Sequence, residues 1–254
     1  MGRWISAFLL VLGAALPAEA VDVSVAIGHS KSPYVFPDEE RGIEFDIVKE
    51  ALALEGHRMI PAFLPMTRVL KALEKGQVAA AMTQQPGIVP GAAYSDTYIT
   101  YHNFAISLDA NAIALSEVSD LGGKSVVAFQ NATLVLGPNY RKVAESNPRY
   151  LEEANQMAQP LLLYLGRTDV IIADPNIFGW YAGRPEVRSK VDTTQKLRYA
   201  PLFPPIDYRM AFRDPALRDA FNRGLAKLRA SGAYDRIIAG YADQMVTRPS
   251  AGSR

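Results

Sequence analysis

Polar and aromatic side chains that could bind or transform a small molecule stand at or soon after the ends of several predicted strands of this 254-residue chain. In chain order they are Tyr34, Arg68, Thr83, Gln84, Gln130, Asn131, Thr133 and Asp174. In open parallel sheets, ligands bind beyond the carboxyl ends of the strands, where such residues would collect. An arginine can grip a carboxylate through two parallel hydrogen bonds, and amides at the start of a helix attract an anion. The set therefore favours a binding site for a small polar molecule.

Covalent and metal chemistry have less support in the sequence. The chain has no cysteine, and its histidines (His29, His57 and His102) lie too far apart to form a short metal-ligand motif. The segment 28–32 lacks the second glycine of a nucleophile elbow, and no phosphate-binding glycine loop is present. We expect no cofactor. Asp and Glu ligands for a metal, and a Ser–His pair assembled from distant positions, stay open as alternatives.

The first 20 residues have the pattern of a secretory signal peptide. Arg3 supplies a positive start, Ile5 to Leu16 form an uncharged apolar run, and Ala18 to Ala20 form a small-x-small cleavage site. The run is shorter than the roughly 20 apolar residues of a spanning helix. We therefore expect export to the periplasm, with cleavage after Ala20 and a mature chain that begins at Val21.

The charge balance argues against nucleic acid and anionic membrane surfaces as partners. The formal net charge is +1, and no run of basic residues occurs. Hydrophobic residues make up 49% of the chain, which is ordinary for a globular protein and sufficient for one large domain or two small lobes.

Hydrophobic periodicity predicts alternating strands and helices, the pattern of a parallel α/β fold. In the first part we expect strands at 21–28, 58–64 and 78–82, with helices at 42–56 and 66–75. In the second part we expect strands at 124–129 and 169–173, with helices at 132–145, 155–165 and 175–182. The last part should contain a strand at 208–212, helices at 214–230 and 234–245, and a frayed tail at 248–254.

Short motifs along most of the chain resemble those of the extracellular solute-binding proteins of ABC importers, specifically family 3, the polar amino-acid family. In the first half, 32–36 (SPYVF) is similar to the family's PPY/F-x-F loop, and 42–47 (GIEFDI) to its G-[FIY]-x-[FV]-D-[IL] helix start. Residues 73–81 (LEKGQVAAA) resemble the L-x-x-G-x-x-D-A element.

Three further segments continue the resemblance in the same order. Residues 94–98 (YSDTY) resemble [FY]-S-x-P-Y, residues 120–126 (DLGGKSV) resemble D-L-x-G-K-x-V, and residues 218–241 resemble the family's closing pair of helices. The resemblance implies a two-lobed periplasmic-binding-protein fold of type II, each lobe a mostly parallel sheet flanked by helices. It implies lobe 1 at 21–107 plus 203–247, lobe 2 at 113–198, and a hinge at 108–112 and 199–202.

The same resemblance implies roles for the candidate residues in a cleft between the lobes. Tyr34 would stack on the ligand, and Asp174 would bind an ammonium, although an Asp before Pro175 is also a good helix cap. Gln130, Asn131 and Thr133 stand where the family has an anion-binding turn, with capping as the alternative role. Ala132 replaces the family's glycine in this turn.

One departure bears directly on the ligand. The family's amino-acid binders read T-x-x-R after the third strand, but this chain reads Thr83, Gln84, Gln85, Pro86. The arginine that would grip a carboxylate is missing, and proline has no N–H to donate. We hypothesise that Arg68 supplies this grip, since it resembles the arginine of a P-W-x-R variant, with a surface position as the alternative.

The resemblance thus implies a periplasmic protein that binds a small polar solute, such as an amino acid or a related metabolite. It would deliver the solute, as a monomer, to an ABC permease in the inner membrane. Two alternatives stay open: an exported, dehydratase-like enzyme on the same fold, and a ligand-binding partner of a sensor or chemoreceptor.

Overall fold

The computed structural model of the chain describes residues 21–28 and 31–241. The predicted signal peptide, the predicted tail and the end of the last predicted helix lie outside these residues. Within the described ranges, no helix is both long enough and apolar enough to cross a lipid bilayer.

The first sheet is built mainly from the N-terminal part of the chain. Its elements up to the first crossing are β1 (Asp22–Gly28), α1 (Ile43–Ala53), β2 (Arg58–Leu64), α2 (Met66–Glu74), β3 (Ala80–Gln84) and β4 (Ala93–Tyr101). Strand β1 pairs in parallel with β2 and β3, as the alternation of strand and helix predicts. Strands β1 to β3 and the helices between them therefore form a parallel α/β unit.

The second sheet contains the middle of the chain. Its elements are β5 (Phe104–Leu108), β6 (Val126–Phe129), α3 (Ala132–Val135), α4 (Pro138–Ser146), β7 (Tyr150–Glu153), α5 (Ala158–Tyr164), β8 (Val170–Ala173), α6 (Pro175–Ala182), α7 (Pro185–Arg188) and β9 (Leu197–Ala200). Strand β6 pairs in parallel with β7 and β8, whereas β5 is antiparallel to β8 and β9.

The C-terminal part of the chain returns to the first sheet. It contains β10 (Ile206–Phe212), α8 (Pro215–Ala230) and α9 (Ala233–Gly240). The strand orders are β2-β1-β3-β10-β4 and β7-β6-β8-β5-β9, so each sheet combines three parallel strands with an antiparallel pair at one edge. These are two sheets of mixed strands flanked by helices, which confirms the predicted two-lobed α/β fold class.

The first crossing between the sheets lies before the predicted hinge segment 108–112. Strand β4 ends at Tyr101 in the first sheet, and β5 begins at Phe104 in the second. The segment 108–112 therefore follows the crossing, because backbone pairing with β8 and β9 already places β5 in the second sheet. The return crossing lies between β9 and β10 and overlaps the predicted segment 199–202 at its end.

Local sequence explains most of these boundaries. Asp174 directly follows β8 and caps α6, because its side chain accepts hydrogen bonds from the backbone N–H groups of Asn176 and Ile177. The single helix predicted at 132–145 is instead two helices, α3 and α4. Gly137, with φ of +90°, and Pro138 interrupt it, since this pair favours a turn and then a new helix start.

The two sheets share an apolar contact beside the first crossing. Ile177 and Trp180 of α6 belong to the same buried cluster as Tyr34 and Phe36, which follow β1. The rings of Phe36 and Trp180 meet edge to face with their centroids 4.9 Å apart. Helix α6, which follows a strand of the second sheet, is therefore packed against a loop of the first.

Candidate functional site

A cavity of about 320 Å³ lies between the two sheets, and residues from both form its walls. The lining residues are Lys31, Met66, Thr83, Tyr101, Asn103, Phe129, Gln130, Asn131, Val135, Ala154, Gln156, Asp174, Ile177 and Tyr208. Most of them follow the carboxyl ends of strands or lie at the first crossing, where ligands of open α/β sheets bind. The volume suits a small molecule.

Lys31 brings a positive charge to the first-sheet wall of this cavity. Its Nζ lies 5.8 Å from the centroid of the Tyr101 ring, within the range of a cation–π contact. Within the described part of the chain, the side chain of Lys31 forms no ion pair. Burial lowers the pKa of Lys31, and the charge of Glu44 opposes this effect.

Glu44, at the start of α1, is a fully buried carboxylate held by hydroxyl groups. Oε2 accepts hydrogen bonds from Thr83 Oγ1 at 2.8 Å and from the Tyr98 hydroxyl, and Oε1 accepts one from the Tyr101 hydroxyl. Burial raises the pKa of both phenols well above the ordinary value, and the charge of Glu44 adds to this effect. Both phenols therefore stay protonated as donors at neutral pH.

Asp174 stands on the opposite wall and is only 4% exposed. Its Oδ1 accepts hydrogen bonds from the Tyr34 hydroxyl at 3.1 Å and from Asn176 N at 2.9 Å, and its Oδ2 accepts one from His102 N at 3.3 Å. Burial raises the pKa of Asp174, although these donors oppose the rise. The residue therefore combines the predicted capping role with a place on the cavity wall.

Tyr34 does not line the cavity, although sequence analysis expected it to stack on a ligand. Its ring is 2% exposed and stacks on Tyr101, with the centroids 4.3 Å apart. Tyr101 is the ring of this pair that borders the cavity. The predicted aromatic wall is therefore present, but a residue of β4 provides it and Tyr34 supports that residue from behind.

The turn after β6 is closed by a side chain of the protein itself. Glu152 of β7 accepts hydrogen bonds from Asn131 N at 2.6 Å, from Thr133 N at 3.0 Å and from Thr133 Oγ1 at 2.9 Å. The Tyr150 hydroxyl donates to the same carboxylate at 2.9 Å. Gln130 and Asn131 line the cavity, but Thr133 is turned to Glu152 and does not.

The remaining predicted residues divide between the cavity and other places. Thr83 lines the cavity with an unusual φ of +58°, and its N–H donates to the Tyr98 hydroxyl at 3.0 Å. Gln84 is buried away from the cavity and donates to the Met82 carbonyl at 2.6 Å. Arg68 is exposed on α2 and does not line the cavity, so the geometry offers no support for its predicted grip on a carboxylate.

Sequence reasoning missed several lining residues, above all Lys31, Tyr101, Asn103 and Tyr208. Lys31 stands in the same turn-rich segment as Tyr34 and could have been weighed as a cation there. The other three border the two crossings, and this position depends on where the chain changes sheet. No local motif marks that place.

Two sheets that are joined by two crossings of the chain, with a cavity between them, define the class of two-lobed binding proteins. The chain belongs to the bacterial extracellular solute-binding proteins, family 3, whose family model matches residues 23–244. This confirms the family that the motifs indicated. None of the curated protein sequences matches the chain significantly.

Solved structures of similar shape include binding proteins and a sensor domain. A mutant of ArgBP from T. maritima is 18% identical with a TM-score of 0.65, over 87% of this chain and 95% of that chain. AbpA from Streptococcus pneumoniae bound to L-arginine is 16% identical with a TM-score of 0.65, over 89% and 97%. A histidine kinase sensor domain is 19% identical with a TM-score of 0.68, also over 89% and 97%. These likenesses concern the fold.

Proposed function

We propose that this protein, after export to the periplasm, captures a small polar solute such as an amino acid or a related metabolite in the cavity between its two sheets. It then delivers the solute, as a monomer, to an ABC permease in the inner membrane. The observation that carries the proposal is the composition of the cavity, whose walls come from both sheets and include the cation Lys31 and the carboxylate Asp174. Such a site closes around a ligand by hinge motion at the two crossings.

Capture without chemical conversion fits the lining residues better than catalysis. Among the described residues that line this cavity, Thr83 brings an aliphatic hydroxyl, but no histidine stands with it as the base that a hydroxyl nucleophile needs. The carboxylate of Asp174 is engaged by backbone and tyrosine donors, which suits a structural and binding role more than that of a free general base.

A partnership with a sensor is the second candidate, supported by the fold likeness to a histidine kinase sensor domain. A protein that serves a permease and one that serves a sensor need the same cavity. The genes beside this one would separate the two, because a permease gene and a histidine kinase gene specify different partners.

The test is a thermal-shift screen of the mature protein with amino acids, organic acids and opines, followed by calorimetry on each hit. A solute present at 100 times its dissociation constant should add about 2.7 kcal/mol to the free energy of unfolding. The variant Asn103→Ala removes a buried amide from the cavity wall, and Asn139→Ala removes an exposed one from α4 as a control.

The expected result is a hit whose affinity falls in Asn103→Ala and stays unchanged in Asn139→Ala. A hit that is equally tight in both variants would place the solute elsewhere. Mass spectrometry of the hit after prolonged incubation should recover it unaltered, and the appearance of a product would favour the enzyme alternative.

A further inference from the structure

The ammonium of Lys31 has no hydrogen-bonding or ion-pair partner among the described residues, and it lines the cavity between the two sheets. Its contact with the Tyr101 ring engages only one side of the ammonium group. Lys31 is half-buried, and a bound anion would replace the interactions with water that its charge loses at this wall. Lys31 is therefore suited to bind an anionic ligand in the cavity.

Glu44 is the acidic residue whose charge acts on Lys31, but its oxygens already accept hydrogen bonds. They accept hydrogen bonds from the hydroxyls of Thr83, Tyr98 and Tyr101. Glu44 thus acts on Lys31 through its electric field and not through direct contact. The remaining hydrogens of the ammonium are left for a molecule in the cavity.

On the second-sheet side of the cavity, the backbone donors are already paired with a carboxylate of the protein. The backbone amides of Asn131 and Thr133, which the sequence presented as an anion site, both donate to the carboxylate of Glu152. Burial opposes ionisation of Glu152, but these hydrogen bonds outweigh it and lower its pKa, so the carboxylate stays charged. A second anion at this turn would meet occupied donors and a like charge.

We propose that the solute carries an anionic group that binds to Lys31 on the first-sheet wall, and that Glu152 keeps the turn at 131–133 closed to anions. Lys31 then sets the charge of the group that binds at this wall, and Glu152 leaves the turn without free backbone donors for a second anion. This inference rests on the proposed function, since it concerns the same cavity.

The experiment compares solute pairs that differ by one carboxylate: L-glutamate with L-glutamine, L-aspartate with L-asparagine, and succinate with succinamate. Calorimetry measures each affinity for the wild type and for Lys31→Gln, Lys31→Arg, Glu152→Gln and the control Lys49→Gln, whose lysine is exposed on α1. Circular dichroism and the melting temperature verify that each variant is folded.

In at least one pair, we expect the wild type to bind the carboxylate at least tenfold more tightly than the amide. Lys31→Gln should abolish this preference, Lys31→Arg should retain most of it, and Lys49→Gln and Glu152→Gln should leave it in place. A preference that survives in Lys31→Gln, or one that disappears in Glu152→Gln, would overturn the inference.

Failure of the inference and failure of the proposed function give different results. Affinity that Lys31→Gln leaves unchanged, together with a loss in Asn103→Ala, would refute the role of Lys31 and leave solute capture intact. No binding of any of these solutes, together with no hit in the broader screen, would refute both.

Discussion

The hydroxyl of Tyr34 donates a hydrogen bond of 3.1 Å to Oδ1 of Asp174, and so links the loop after β1 to the start of α6. The same hydroxyl accepts a hydrogen bond from the side-chain amide of Asn176 at 2.9 Å. Tyr34 and Asp174 are 140 residues apart and belong to opposite sides of the cavity. Both were expected to touch ligand, yet they contact each other, and this contact helps to set the position of α6 against the first sheet.

The variant Tyr34→Phe should therefore be less stable than the wild type, by about 1 kcal/mol in the free energy of unfolding. The phenylalanine keeps the stacking on Tyr101 but leaves a lone pair of Asp174 and the amide of Asn176 without their partner. Urea denaturation of Tyr34→Phe, Asp174→Asn and the double variant measures the coupling between the two residues. Strictly additive losses would show that the hydrogen bond does not contribute.

Replacing the buried carboxylate of Glu44 by an amide should destabilise the protein. In Glu44→Gln, the amide nitrogen would face a hydroxyl that now donates to the carboxylate, so a donor would oppose a donor. A buried group left without its partner costs about 1–3 kcal/mol, and we expect a loss of unfolding free energy in this range. The control is Glu50→Gln on the exposed face of the same helix, which should change stability by less than about 0.5 kcal/mol. Equal stability of the two variants would contradict the prediction.

Much of the fold could be predicted from local sequence. The alternation of apolar strands with amphipathic helices gave the α/β class, and Asp174 followed by Pro175 marked the start of α6, because capping and proline geometry depend on neighbouring residues only. The crossing between sheets was harder to locate. Residues 102–103 contain neither glycine nor proline, and it is the backbone pairing of β5 with distant strands that fixes the crossing there.

The candidate site was predictable in part for the same reason. Thr83 stands near the end of β3, Gln130 and Asn131 follow β6, Asp174 follows β8, and all four line the cavity. Tyr101 lines the cavity where Tyr34 was expected, and Glu152 closes the turn at 131–133. Both features depend on contacts between residues that are far apart in sequence. A single sequence holds no local trace of such pairs.

The hydrogen bonds of Glu152 predict how stability changes with pH. Because its pKa in the folded protein lies below the ordinary value of 4.5, its stabilising contribution is complete above that pH and is lost as the pH falls through the lower, folded-state pKa. The melting temperature of Glu152→Gln should therefore lie below that of the wild type near neutral pH, and the difference should shrink in acid below pH 4.5. A difference that stays constant from neutral to acid pH would mean that the charge of Glu152 does not contribute.

The close contact between α1 and α8 predicts the effect of one added methyl group. A Cβ at Gly224 would lie 1.9 Å from the backbone oxygen of Ala51, so Gly224→Ala must push the two helices apart. We expect a loss of about 1–3 kcal/mol or more in unfolding free energy, measured by urea denaturation. At Gly240, the last residue of α9, an added Cβ would meet nothing within 4 Å, and Gly240→Ala should be neutral or slightly stabilising. If both variants behaved alike, the helix contact would be looser than the structure indicates.

Arg68 provides a prediction that separates two sources of positive charge near the cavity. Its side chain is exposed at the start of α2, where water and salt screen it, whereas Lys31 lines the cavity itself. We therefore expect Arg68→Ala to change the affinity for a solute found in the screen by less than about twofold, while Lys31→Gln weakens an anionic solute at least about tenfold, equal to about 1.4 kcal/mol.

Arg58→Ala, which removes an exposed arginine from β2, serves as the control for a general change in net charge. Calorimetry at low and at physiological salt completes the test. If Arg68→Ala alone caused a tenfold loss that persisted at physiological salt, Arg68 would have to reach the ligand through a movement of α2, and the grip on the anion would belong to Arg68 and not to Lys31.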